Sequence, residues 1–224
     1  MKSVVLLSGG LDSVVCLKRA VDETEVVLAL TFDYGQPAAK REVEAAEEIC
    51  KRLGVKHRTI KLEWLGEMLP EGLKTEAPGA ELGDEKAEQE AARAVWVPNR
   101  NGVFVNIGAA FAEGLDCDQI VAGFNAEEGA SFPDNSQEYI EAANAALELS
   151  TLRKPRLVSY TAKMNKMEIL RLGRKIGAPL ELLWSCYYGG EEMCGECMSC
   201  RRVLTALCEE YGEGLDKLGS RFKK

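Results

Sequence analysis

Apolar residues in this chain cluster in short β-branched runs separated by longer stretches of helical period. Met1 to Leu7 is apolar and ends at Ser8-Gly9-Gly10, the signature of a short buried strand. A helix pattern follows from Leu11 to Val21, then a second buried strand from Glu25 to Phe32 with the loop Asp33-Tyr34-Gly35-Gln36 at its end. Pro37 suits the first turn of a helix that runs to Leu53, with Gly54 as its stop. Lys56 to Leu62 reads as a weaker third strand. This β-α-β-α-β alternation predicts parallel strands joined by right-handed crossovers.

From Trp64 to Arg93 the pattern lapses among acidic residues, prolines and glycines, which predicts a loop or lid. A helix is expected over Gly102–Gly114, a strand over Gln119–Gly123, a long loop to Asp134, a helix over Gln137–Leu149 and a fifth strand over Arg156–Ser159. Asn165 caps a helix to Ile176, with Gly177 and Pro179 beyond it. A last helix over Arg201–Tyr211 leads to a basic tail, Arg221-Phe222-Lys223-Lys224. The predicted fold class is α/β: a Rossmann-like five-stranded parallel sheet with flanking helices over 1–180, and a small cysteine-bearing region over 181–224.

The first junction carries the most chemistry. In Ser8-Gly9-Gly10-Leu11-Asp12-Ser13 two glycines allow a sharp turn with consecutive N–H groups facing one concavity. The following helix aims its positive end at the same place, and Ser8 and Ser13 add hydroxyls. The result is an anion cradle. No Walker Gly-Lys-Ser/Thr and no G-x-G-x-x-G occurs. Asp12, in the first turn of that helix, complements the helix dipole.

Composition narrows the substrate. With 28 Lys plus Arg against 36 Asp plus Glu, the net charge is −8, the wrong sign for gripping a phosphate backbone, so a small substrate is favoured over nucleic acid. No apolar run is long enough to span a bilayer, and eight cysteines without an export signal point to a reducing, cytoplasmic setting. Cys16, Cys50, Cys117 and Cys208 read as buried small hydrophobes. Cys186, Cys194, Cys197 and Cys200 instead form a four-thiolate set with two C-x-x-C steps, suited to a closed structural Zn²⁺ site; an iron–sulfur cluster uses the same ligands. Cys186 is preferred to Cys208 as the fourth ligand because it lies in a turn-rich stretch. His57, the single histidine, reads as structural.

The serine-glycine loop resembles the pyrophosphate loop of N-type ATP pyrophosphatases, whose adenine nucleotide alpha hydrolase-like fold the predicted sheet would share. With Asp33-Tyr34-Gly35-Gln36, Val97-Pro98-Asn99-Arg100-Asn101, Gly123-Phe124-Asn125, Phe132-Pro133-Asp134, Lys166-x-Glu168 and Trp184-Ser185-Cys186-Tyr187, the chain is similar nearly end to end to the 7-cyano-7-deazaguanine synthase family. That resemblance implies a ligase making the nitrile precursor of queuosine and archaeosine from 7-carboxy-7-deazaguanine, ammonia and ATP through adenylated intermediates, in a homodimer. It implies ATP and Mg²⁺ at Ser8, Gly9, Gly10, Leu11, Asp12, Ser13, Phe32 and Asp33, and deazapurine at Tyr34, Gln36, Arg100, Asn101, Phe132 and Asp134. Asp12, Ser13, Arg100 and Lys166 would carry the chemistry. Lys166 is a cation in a first helical turn, where the dipole disfavours it, so an anion is expected beside it. Where relatives often read Pro-Asp-Cys-Arg, this chain has Pro133-Asp134-Asn135-Ser136, which leaves Arg100 or Arg153 to hold the substrate carboxylate. Tyr160 stands where proline is usual. The competing readings are an adenylating ligase for another deazapurine acid, a tRNA thiolase, and a zinc-ribbon binding module.

Overall fold

The structure, a computed structural model, describes residues 1–74, 83–211 and 218–223. Strands β1 (Lys2–Leu6), β2 (Glu25–Asp33), β3 (His57–Lys61), β4 (Gln119–Val121) and β5 (Arg156–Val158) form one sheet in the order β3-β2-β1-β4-β5. Every neighbouring pair is parallel. The chain winds outward from β1 to β3, then returns to β4 on the other side of β1. That reversal opens a crevice at the C-terminal ends of β1 and β4.

Ten helices accompany the strands among the described residues: α1 (Leu11–Glu23), α2 (Ala39–Leu53), α3 (Glu63–Gly66), α4 (Glu71–Lys74), α5 (Glu85–Ala94), α6 (Arg100–Gly114), α7 (Ala126–Ser131), α8 (Gln137–Ser150), α9 (Lys166–Lys175) and α10 (Met198–Tyr211). Side chains alternate along β1, so Val5 and Leu7 enter the core under α1, α2 and α9, while Val4 enters the core under α6 and α8. Both faces of β1 are covered, which is why its neighbouring Val4 and Val5 are both apolar. None of the described helices is long and apolar enough to cross a membrane.

The structure corrects several boundaries and two loops. The stretch Trp64–Arg93 holds α3, α4 and α5; its residues 75–82 lie outside the described residues. Asp84 starts α5 by accepting from Lys86 N at 3.0 Å and Ala87 N at 3.1 Å. The loop before Asp134 contains α7, capped by Asn125, which accepts from Glu128 N at 2.9 Å. Helix α10 begins at Met198 rather than Arg201, so Cys200 occupies its first turn. The basic tail is anchored: Phe222 is buried, and Arg221 Nη1 donates to Leu183 O and, at 3.0 Å, to Glu181 O. Lys224 lies outside the described residues. The cysteine segment is continuous with the α1–α2–α9 core, since Cys186, Met193, Cys197, Cys200, Val203 and Leu207 all pack into it. Cys208 is exposed, not a core residue.

Candidate active site

The first βα junction folds as the two glycines require. Gly9 has φ +80°, and a Cβ there would fall 3.2 Å from Glu42 O and 3.3 Å from Ala45 Cβ. Gly9 O accepts from Trp184 N at 2.8 Å, which ties the loop to the cysteine segment. Ser8 Oγ accepts from Gly10 N at 3.3 Å and lies 3.1 Å from Ser13 Oγ, which donates to Gly10 O at 3.0 Å. Helix α1 therefore starts at Gly10 without a side-chain cap, leaving its first amides to an incoming anion.

Gly123, at the end of β4, abuts this turn so closely that a Cβ would lie 2.5 Å from Ser13 N. Gly123→Ala is expected to lower stability by about 1–3 kcal/mol, because backbone must move to admit one methyl. Urea unfolding checks it; an unchanged midpoint would mean that β4 does not brace the loop.

Lys166 is buried and stands between two carboxylates. Its Nζ donates to Asp12 Oδ2 at 2.5 Å and to Glu128 Oε1 at 2.7 Å, while Asn125 Nδ2 donates to Asp12 Oδ2 at 3.2 Å. These two side chains are the anion that the helix position of Lys166 called for. Burial would raise Glu128, but the adjacent ammonium holds it down to about 2. For Asp12 burial prevails over the same ammonium and its carboxyl is raised. Asp12 Oδ1 is buried with no hydrogen-bond partner, an electron-rich oxygen suited to a hard cation.

Around the loop opens a cleft of about 220 Å³. Ser8, Gly10, Leu11, Asp12, Ser13, Phe32, Tyr34, Gln36, Arg100, Asn101, Phe132, Asp134 and Lys166 line it, so the fold brings these sequence candidates together. Two fall outside the lining. Gly9 shapes the turn from behind, and Asp33 Oδ1 turns back to accept from Gly35 N at 3.1 Å. Arg100, the first residue of α6, donates through Nη1 to Tyr34 Oη at 3.2 Å. Asp134 accepts from Asn101 N at 3.1 Å and from Asn135 Nδ2 at 3.3 Å, so it caps α6 while facing the cleft. Phe32 stacks on Phe104 with centroids 4.0 Å apart, and Phe132 stacks on Trp96 at 5.9 Å. Arg153 is excluded from this site: it pairs with Asp116 and Asp118 before β4, at the opposite end of the sheet. Ser136 takes a structural part where relatives often have arginine, capping α8 through Tyr139 N at 3.0 Å. Tyr160 Oη accepts from Gln119 Nε2 at 3.4 Å.

Several lining residues carried no signal in the sequence. Glu42, Trp96, Phe104 and Glu128 lie on segments that read as ordinary amphipathic helix or loop. Arg202 of α10 pairs with Glu88 of α5 at 2.9 Å and so ties the two helices together.

The cysteine set assembles as its spacing predicts. The four Sγ atoms of Cys186, Cys194, Cys197 and Cys200 lie within 4.8 Å of one another, with Cys194 and Cys200 3.9 Å apart. A tetrahedral Zn–S site needs about 3.8 Å between sulfurs. Backbone N–H groups of Tyr188 and Cys194 point at Cys186 Sγ, each at 3.4 Å, and those of Glu196 and Cys197 at Cys194 Sγ, at 3.4 and 3.3 Å. Donors aimed at sulfur suit thiolates holding a cation. Trp184, Ser185, Tyr187 and Ser199 of this segment line the cleft, so the cluster braces one wall of the site.

The family model described as queuosine biosynthesis protein QueC matches residues 2–211. The chain belongs to that family. It is 52% identical to 7-cyano-7-deazaguanine synthase of Pelotomaculum thermopropionicum, over 92% of this chain and 96% of that protein. It is 49% identical, with the same coverages, to the 7-cyano-7-deazaguanine synthase of Desulforudis audaxviator. Among solved structures, a 4-thiouridine synthetase–RNA complex with bound ATP matches 95% of this chain and 53% of its own with TM-score 0.51 at 15% identity, a likeness of fold alone.

Proposed function

We propose that this enzyme converts 7-carboxy-7-deazaguanine and ammonia into 7-cyano-7-deazaguanine at the expense of two ATP. The observation that carries the reading is the single cleft in which an uncapped serine-glycine loop faces stacked aromatic residues and Arg100. A carboxylate resists ammonia because oxide is a poor leaving group. Adenylation replaces oxide by AMP; ammonia then gives the amide, whose oxygen is adenylated in turn before elimination to the nitrile. No protein nucleophile is needed. Holding the reactants in line can contribute about 7–11 kcal/mol.

The loop amides, Ser8 and Ser13 would hold the β- and γ-phosphates, and Asp12, through its unpartnered Oδ1, would hold Mg²⁺, which supplies charge neutralisation at the phosphates. Arg100, fixed by Tyr34, would orient the carboxylate with its planar fork. The deazapurine would stack among Phe32, Phe104, Trp96 and Phe132. Cys186, Cys194, Cys197 and Cys200 would hold Zn²⁺ as a closed structural site with no position for substrate.

Incubation with Mg-ATP, ammonium and the acid is expected to yield two AMP per nitrile, followed by nucleotide chromatography and mass spectrometry. ADP as product would reject adenylation. AMP with no nitrile would favour the second reading, an adenylating ligase for a related acid.

A further inference from the structure

Glu42 lines the cleft, yet nothing in the proposed chemistry uses it. It lies on α2 directly behind the loop, its backbone carbonyl touching the space beside Gly9. Gln36 Nε2 donates to Glu42 Oε2 at 2.8 Å and, at 3.0 Å, to Phe32 O, which fixes the carboxyl's orientation. Among the described residues, Oε1 carries no hydrogen bond and no lysine or arginine lies within ion-pair distance. Arg100 attracts the group from α6, and Asp33 repels it from the end of β2. Tyr34 shares its surroundings and is itself opposed by the Glu42 charge.

An unpaired carboxylate is out of place in a cleft built for anions. A triphosphate and an organic acid would both be repelled by it. The reactant it suits is the cationic one, ammonium. Other candidates for proton transfer are committed elsewhere: Asp12 and Glu128 to Lys166, Asp134 to Asn101, and His57 to Thr31 Oγ1 at 2.7 Å outside the cleft lining.

We propose that Glu42 is a catalytic residue that binds ammonium, takes one proton from it and releases ammonia toward the adenylated acid. The inference rests on the nitrile-forming reading above. The step balances simply. Ammonium and the Glu42 carboxylate become ammonia and a carboxylic acid; the nitrogen lone pair forms the C–N bond, and the C–O bond to AMP breaks with its electron pair leaving on the phosphate. The proton shed as the adduct collapses to amide goes to water, and Glu42 later returns its own to solvent. Burial supports the assignment by raising the Glu42 carboxyl to about 7, matched to work near neutrality.

The test compares wild type with Glu42→Gln using ammonium and, separately, hydroxylamine, a nucleophile already neutral at pH 7. Glu42→Gln is expected to lower kcat/KM for ammonium about 100-fold while hydroxamate formation changes less than about 3-fold. The pH profiles should also separate. Wild-type kcat/KM for total ammonium should level off above pH 7, whereas that of Glu42→Gln should climb with unit slope until ammonium itself titrates. Equal losses with both nucleophiles, no loss with either, or a raised Mg²⁺ requirement with the ammonium constant unchanged would each overturn the proposal. Wild type lacking acid-dependent ATP–pyrophosphate exchange would overturn the functional reading, and this one with it.

Discussion

Lys166→Met is expected to lower turnover by at least about 1,000-fold and to destabilise the fold by about 3–5 kcal/mol. The residue is only 4% exposed and is held by Asp12 and Glu128 at once. Removing its charge leaves two carboxylates facing each other in low dielectric, one of them the residue proposed to hold Mg²⁺. The pH dependence should reverse sign in part. In wild type the depressed Glu128 contributes stability that is present above the unfolded carboxyl range and lost as pH falls toward about 2. In the variant both carboxyls rise above their unfolded values, so stability is retained at low pH and lost as pH increases. Urea unfolding at pH 5 and pH 7 should show the variant closer to wild type at pH 5. A variant equally stable at both, and as active as wild type, would remove Lys166 from the site.

Cys197→Ser is expected to strip the metal and to unfold the chain at temperatures that wild type tolerates. Structural zinc sites are worth about 10–16 kcal/mol in small domains, far more than a typical net stability of 5–15 kcal/mol can lose in part without consequence. Cys197 is 1% exposed and packs in the same core as Leu7 and Leu11, so the damage should reach the nucleotide loop as well as the cysteine wall. Cys208→Ser is the control: it is exposed on α10, and its stability should stay within about 0.5 kcal/mol with full metal content. Elemental analysis with thermal unfolding decides. Equal zinc and equal midpoints in Cys197→Ser and wild type would refute the metal assignment.

The strands and the loop were readable because their signals are local. Short β-branched runs ended by glycine leave few alternatives, and Gly9 and Gly54 have the positive φ their positions imply. Helix α5 was not readable: its inward positions are alanines such as Ala91 and Ala92, which make no contrasting stripe among the acids. The C-x-x-C steps identified the sulfurs but did not show that Cys200 lies in the first turn of a helix, since spacing constrains ligands rather than backbone. Glu42 was invisible for a different reason. On α2 it sits among Lys40, Glu44, Glu47 and Glu48, and only its placement under the C-terminal ends of β1 and β2 separates it from a solvated charge. Lys166 shows the middle case, an odd cation whose partners Asp12 and Glu128 come from distant segments and meet it only in the fold.

If AMP becomes the handle on the acid group, oxygen labelling reveals it at the atoms concerned. The acid is prepared with both carboxylate oxygens as ¹⁸O, and the AMP released during nitrile formation is analysed by mass spectrometry. Attack of each oxygen in turn on the α-phosphate predicts two AMP per nitrile, each carrying one ¹⁸O in its phosphate. Unlabelled AMP, with the label recovered in water or in pyrophosphate, would contradict the account.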